Sequence, residues 1–454
     1  MRSRLYLFLL MLFSACAPVQ QTETASRAVA IDSTLPPMKT FAVRSPARPA
    51  MSNAALFRDF MELSFEMESG RQLDRFTRFE GPISLRVTGR PPKTFNADLA
   101  ALLIRLRREA GIEITQTRQP GASITVEAVP RASIQAVLPQ AACFVAPNVS
   151  SLQEFRSARR SPRTNWAALS VRERIAIFVP NDASPQEMRD CLHEELAQAL
   201  GPLNDLYRLP NSVFNDDNVH TVLTGFDMLI LRITYDPALR SGMLRSDVTA
   251  RMPQILSRIN PTGGRASPAP ASPTPLAYAQ SIQTALGPGA SPSERRTSSD
   301  EALRIAASRG WTDNRRAFAH YAKGRLLQGT NSLAAHEQYL LADRYYARSP
   351  QTRLHRAYVA TQLSAFALAQ GNPEDAERIA RAHVASAEKS QNAALLATLQ
   401  LLRAESLDAM GRAREASTLR RDTLGWARYG FGADWAVRAK LREIAALNPA
   451  GGPV

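Results

Sequence analysis

Apolar residues recur at helical spacing through Leu56, Phe60, Leu63 and Met67, which predicts that a first helix opens the folded chain near Asn53. Residues 82–88 then alternate apolar and polar as a half-buried strand. Asn96 is placed to cap a helix carrying Leu99, Leu102, Leu103 and Leu106 as far as Gly111. Two short alternating runs, 112–116 and 123–127, flank the turn signal Pro120-Gly121. After a less regular stretch around Cys143, residues 174–179 read as a buried strand. Ser184, Pro185 and Glu187 open the next helix with capping-box spacing, and Gly201-Pro202 stops it.

The pattern changes near Arg258. Residues 258–275 hold many prolines and small residues and few core formers, as an interdomain linker does, and a short helix is expected over 276–286. From Ser299 to Leu447 the chain is helical and rich in Ala, Leu and Arg, with helices ending in glycine at Gly329, Gly371 and Gly411. Ala376 follows Gly371 as Ala416 follows Gly411, at a period of 40 residues. Such a period resembles tetratricopeptide-type helical hairpins, which stack into a solenoid with a groove; an irregular helical bundle is the plainer alternative.

At the start, Arg2 and Arg4 precede nine apolar residues, 5–13, then Ser14-Ala15 and Cys16. Nine residues are too few to cross a bilayer of roughly 30 Å, so the segment reads as an export signal. The small pair before Cys16 resembles the lipobox of bacterial lipoproteins, although Phe13 stands where Leu or Val is usual. The resemblance implies acylation at Cys16, with Ala17 in place of an inner-membrane-retaining Asp favouring the outer membrane, facing the periplasm. Residues 16–52 are then expected to be a flexible, Pro-containing tether. With Cys16 given to lipid, Cys143 and Cys191 are an even pair in an oxidising compartment, and a disulfide is expected.

The formal charge is +15. No basic run or aromatic-interleaved basic stripe concentrates it, so no nucleic-acid partner is expected. Anionic headgroups or cell-wall polymers are candidate counter-charges, and arginine enrichment from a GC-rich genome is an equally good account.

The chemistry concentrates in residues 193–205. Read from Glu194, this segment has the spacing of the long zinc-peptidase motif, with histidines at the first, fifth and eleventh places, glutamate at the second and glycine at the eighth. Here Glu194, Gln198 and Asn204 stand at the ligand places, while Glu195 and Gly201 are kept. On a helix, Leu192, Leu196, Ala199 and Leu200 make one apolar face, opposite Glu194, Glu195 and Gln198. Past Gly201 the chain can return Asn204 or Asp205 toward that polar face.

Neutral amides replace imidazole poorly as zinc ligands. His193 and His220 are candidate imidazole donors from neighbouring positions, but His193 lies about 100° around the helix from Glu194 and reads better as a surface residue or a satisfied partner. Glu194, Asp205, Asp216 and Asp217 offer an oxygen-rich calcium alternative, against turn capping as the plain role of these acids. No phosphate loop, Ser-His-Asp set or Cys-x-x-Cys pair is visible.

The helix Glu-Glu-x-x-Gln-x-Leu-Gly from Glu194, the loop Ser212-Val-Phe-Asn-Asp216, then Leu223-Thr224, Asp227, Leu231 and Tyr235-Asp236-Pro237 resemble a family of bacterial exported proteins of unknown function over residues 53–245. That family looks like a remote branch of the zinc-peptidase clan. The resemblance implies an α+β zincin-like domain, a twisted sheet over the motif helix, over 53–250. An interdomain linker over 251–297 and an all-α tetratricopeptide-like domain over 298–450 complete the expected organisation.

The expected function is binding or scaffolding of an envelope protein or peptide through the helical repeats, without cofactor. The alternative is a metal-dependent peptidase or cell-wall hydrolase, holding zinc or calcium, with Glu195 as base.

Overall fold

The computed structural model describes residues 33–46, 49–265 and 272–449, so the expected export segment, Cys16 with its expected acylation and part of the expected tether lie outside the described residues. Helix α1 (Asn53–Phe65) begins at Ser52, whose Oγ accepts a hydrogen bond from the Ala55 amide. Its predicted stripe buries Leu56, Phe60 and Leu63, whereas Met67 lies past the helix in a turn closed by Gly70 at φ 79°. Strand β1 (Ile83–Gly89) follows, then α2 (Phe95–Arg105), whose N-cap is Thr94 rather than Asn96.

A single π turn extends α2 to Gly111, which at φ 72° occupies a left-handed position that suits glycine. Next come β2 (Ile114–Gln116), β3 (Ile124–Val129), α3 (Arg131–Gln135), β4 (Phe144–Pro147), α4 (Leu152–Ala158) and β5 (Ile175–Pro180). The motif helix α5 (Pro185–Leu200), α6 (Gly225–Thr234) and α7 (Arg245–Ile259) complete this half.

The five strands form one sheet in the order β2-β1-β3-β5-β4. All neighbours are parallel except β4, which runs antiparallel to β5 at one edge. Side chains alternate across β5: Ile175, Ile177 and Val179 join the core shared with α1, α2, α5 and α6, while Ala176 and Phe178 meet α3 and α4 on the other face. Both faces are therefore covered, which explains why β5 is apolar throughout.

Strand β4 was not expected, because four residues ending in Pro147 carry no readable alternation. It is held by pairing with β5 and, just before it, by the Cys143–Cys191 disulfide to α5, with the Cα atoms 5.9 Å apart.

The second half is all helical: α8 (Leu276–Leu286), α9 (Pro292–Ser308), α10 (Asn314–Leu327), α11 (Ser332–Tyr346), α12 (Arg353–Ala369), α13 (Pro373–Lys389), α14 (Ala393–Ala409), α15 (Ala413–Phe431) and α16 (Asp434–Ala445). Each packs on the next. Helices α12 to α15 start at Arg353, Pro373, Ala393 and Ala413, a spacing of 20 residues, and the turns between them place Gly371, Gln391 and Gly411 at φ 74°, 54° and 75°. Gly324 has a different role. It sits inside α10 where a Cβ would come within 2.7 Å of the Tyr339 ring, so it serves the close crossing of α10 and α11.

Two expected spacers are partly folded. In the linker, α7 runs on to Ile259, and α8 buries Tyr278, Ile282 and Ala285, with the Tyr278 hydroxyl donating to the Arg315 carbonyl at 2.6 Å. In the tether, the Lys39 amide donates to the Gly425 carbonyl at 3.1 Å and Phe41 stacks on Trp426 at 4.4 Å. The helix α8 stands where a short helix was expected, and in both stretches an aromatic side chain, Tyr278 or Phe41, buries enough area to dock the chain.

The halves belong to one unit from Leu35 onward. Gln186 at the start of α5 donates to Asn392 and accepts from the Ala394 amide, while Arg189 donates to the Gln391 carbonyl. No helix among the described residues is long and apolar enough to cross a membrane.

Candidate functional site

Helix α5 is fixed at both ends. Ser184 Oγ accepts from the Glu187 amide, but the Glu187 carboxylate pairs with Arg131 instead of closing the capping box. At the other end the buried Arg172 guanidinium donates to the carbonyls of Gln198, Ala199 and Gly201 and lies 5.1 Å from the Trp166 ring centroid. A cation there complements the negative end of the helix dipole and supplies donors to its last carbonyls, of which only that of Gln198 also accepts from a backbone amide, that of Gly201 at 3.2 Å. Burial pulls Arg172 down to about 10, which still leaves it charged at neutral pH.

The Tyr235 hydroxyl adds a bond to the Leu200 carbonyl at 3.1 Å. Gly201 is required by packing: a Cβ would stand 2.7 Å from Thr234 Cγ2 of α6.

With its apolar face held against the core, α5 turns Glu194, Glu195 and Gln198 into a cavity of about 1300 Å³. Asp205 and Asp216 enter it from the loops after α5, Glu68 from the turn after α1, and residues 143–145 from the edge strand β4. The opposite wall is helical: Gln280, Gln283 and Thr284 of α8, Phe318, Tyr321 and Arg325 of α10, and Tyr358 of α12. The site thus lies between the two halves, and the expected linker builds part of it.

Among the candidates read from sequence, Glu194, Glu195, Gln198, Asp205 and Asp216 are brought together. Asn204 is not. It turns away, donating its amide to the Glu62 carbonyl at 3.2 Å. Asp217 reaches the wall, but its carboxylate is taken by Asn215, the Val219 amide and His355. His193 is buried with Nδ1 accepting from the Leu223 amide at 3.1 Å, and His220 Nε2 bonds the Pro210 carbonyl at 3.0 Å. Neither lines the cavity.

Ser212 and Thr224 serve structure: Ser212 Oγ donates to Asp227 at 2.6 Å, and Thr224 and Asp227 form the capping box of α6. Glu68 and Arg172 were missed. Glu68 carries no local signal, and Arg172 acts through contacts remote in sequence.

Burial shapes the electrostatics. It pushes Glu194 up to about 8, with Asp216 and Glu68 adding to the effect, and pushes Asp216 up to about 6, with Glu68 next. Glu195 and Asp205 are raised well above the ordinary carboxylate range, again by burial first and then by neighbouring carboxylates. Glu195 Oε2 and Asp205 Oδ1 are buried without a hydrogen-bond partner.

Zinc, the metal that the spacing implies, does not fit this donor set. The residues facing the cavity offer carboxylates and one amide, the third spaced position is turned away, and no imidazole faces in. What the arrangement can do is hold a positively charged or hydrogen-bond-donating group against buried carboxylates.

No curated protein and no solved structure matches the chain. Residues 53–254, from the start of α1 into α7, match the family model described as a protein of unknown function, DUF2927, which takes in the sheet and every carboxylate on this side of the cavity.

Proposed function

We propose that this is a polypeptide-binding protein of the cell envelope, exported, anchored by lipid at Cys16 and facing the periplasm from the outer membrane. Its first half is a zincin-like domain that has kept the scaffold of a peptidase without its zinc chemistry, and its second half is a tetratricopeptide-like array. The ligand is an extended segment of an envelope protein or peptide, held in the cavity between the halves.

One observation carries the reading. Strand β4 pairs with β5 on one side only, and the residues at its start line the same cavity as the α5 carboxylates. An edge strand offers a row of backbone donors and acceptors to an extended chain, which is how β-augmentation captures peptides. The antiparallel edge and the placement of Glu195 and Gly201 on a helix beneath the sheet support the zincin-like assignment. The 20-residue spacing of helix starts, 40 per pair, supports the helical-repeat assignment.

The test is fluorescence anisotropy with a labelled, unfolded polypeptide. Thr284 is exposed on the α8 wall, so Thr284→Trp narrows the cavity without disturbing the core. Saturable binding that this variant loses supports the reading, whereas no binding by the unaltered protein contradicts it.

A further inference from the structure

We infer that Glu68, Asp205 and Asp216 form a site for a hard divalent cation, calcium before magnesium. One carboxylate oxygen from each lies within 4.8 Å of the others, close enough to share one ion. Calcium takes about six to eight oxygen ligands at about 2.3–2.6 Å in flexible geometry, whereas magnesium demands a near-ideal octahedron and gives up its waters reluctantly, so three carboxylates from separate segments suit calcium better.

The three groups arrive from separate segments. Glu68 sits at the tip of the turn closed by Gly70, Asp205 follows α5, and Asp216 ends the loop pinned to Asp227 through Ser212.

Two further observations point to a ligand. Asp205 Oδ1 and, on α5 in the same cavity, Glu195 Oε2 are buried with no hydrogen-bond donor, and Glu195 is only 5% exposed. Such orphaned acceptors are costly unless something satisfies them. In addition, none of Glu68, Glu194, Glu195, Asp205 and Asp216 forms an ion pair among the described residues, although the chain carries 56 Lys and Arg against 41 Asp and Glu. A chain with cations to spare leaves these acids without one. A bound dication would supply the missing charge, and Glu68, exposed at the rim, gives it a path in.

The inference shares the cavity with the polypeptide reading but draws on different groups, so it is tested with metal alone. Calcium chloride is titrated calorimetrically into the chelator-treated full chain, with magnesium and zinc chlorides in parallel and terbium luminescence, sensitised by Trp166 on the cavity wall, as a second readout.

The expected result is one calcium per chain, with magnesium roughly tenfold weaker or more, and with Glu68→Gln weakening calcium by about tenfold or more. Because Glu68 is exposed, that variant should melt in chelator as the unaltered protein does; Asp216→Asn is the second variant. No calcium binding up to about 10 mM, beyond the weak end of protein calcium sites, overturns the site. So does equal affinity in both variants, or binding of zinc without calcium. Loss of the site with polypeptide binding intact would leave the proposed function standing.

Discussion

His355 Nε2 donates to Asp217 Oδ2 at 2.8 Å, with side-chain exposures of 1% and 3%, and this bond joins α12 of the helical half to the loop that also delivers Asp216 to the cavity. The other partners of Asp217, Asn215 Nδ2 and the Val219 amide, lie within that loop. Removing the carboxylate by Asp217→Ala therefore leaves His355 Nε2 and the Val219 amide without an acceptor and Asn215 Nδ2 with the Leu209 carbonyl alone. The cost is expected to be about 3 kcal/mol or more, read as a lower denaturant midpoint. An unchanged midpoint would show that the two halves are not held together here.

Arg172 poses the same question at the end of the motif helix. Arg172→Met keeps volume but leaves the carbonyls of Ala199 and Gly201 unsatisfied and that of Gln198 with the Gly201 amide alone. Each buried unmet acceptor costs about 1–3 kcal/mol. A loss of about 3 kcal/mol or more in chemical denaturation is expected, with polypeptide binding weakened because Gln198 and Glu194 lose their fixed axis. A variant as stable as the parent would remove Arg172 from the account.

The disulfide closes a loop of 48 residues between β4 and α5. In the chain-entropy picture, opening it costs about 4 kcal/mol. The paired Cys143→Ser, Cys191→Ser variant should melt at a markedly lower temperature and bind polypeptide less well, since the edge strand loses its tie to the motif helix. Reduction of the native protein should reproduce the effect, and insensitivity to reductant would contradict it.

The raised carboxylates give stability a definite pH dependence. Glu194 titrates near 8 when folded and near 4.5 otherwise, and Asp216 near 6 against 3.8. Between those values the folded state holds the extra protons, so stability falls as pH rises. Asp216 contributes up to about pH 6 and Glu194 up to about pH 8. In chelator, the melting temperature should drop between about pH 5 and pH 8.5, and Glu194→Gln should flatten the upper part of that slope. A melting temperature that climbs over this range would contradict the burial of these groups.

What could be read from the sequence follows the range of the forces involved. The capped start of α5 at Ser184, its apolar face through Leu192 and Leu196, and β5 are local patterns, and they stand as expected. The Cys143–Cys191 disulfide was also legible, because two cysteines leave few alternatives. Strand β4 and the docking of Phe41 were not, since each depends on a partner remote in the chain. The candidate site divides in the same way. Helical periodicity placed Glu194, Glu195 and Gln198 together, but only the fold could choose Asp205 over Asn204, add Glu68, and bring α8 across as a wall.

The central claim is that the cavity binds a polypeptide without cutting it. The direct measurement incubates the labelled polypeptide with the unaltered protein and with Glu195→Gln, in calcium and separately in zinc, and follows binding and chain length together by anisotropy and mass spectrometry. The account predicts an intact polypeptide in every sample and saturable binding by both proteins. Cleavage at defined bonds by the unaltered protein, lost in Glu195→Gln while that variant still folds, would contradict it and identify Glu195 as the base of a working hydrolase.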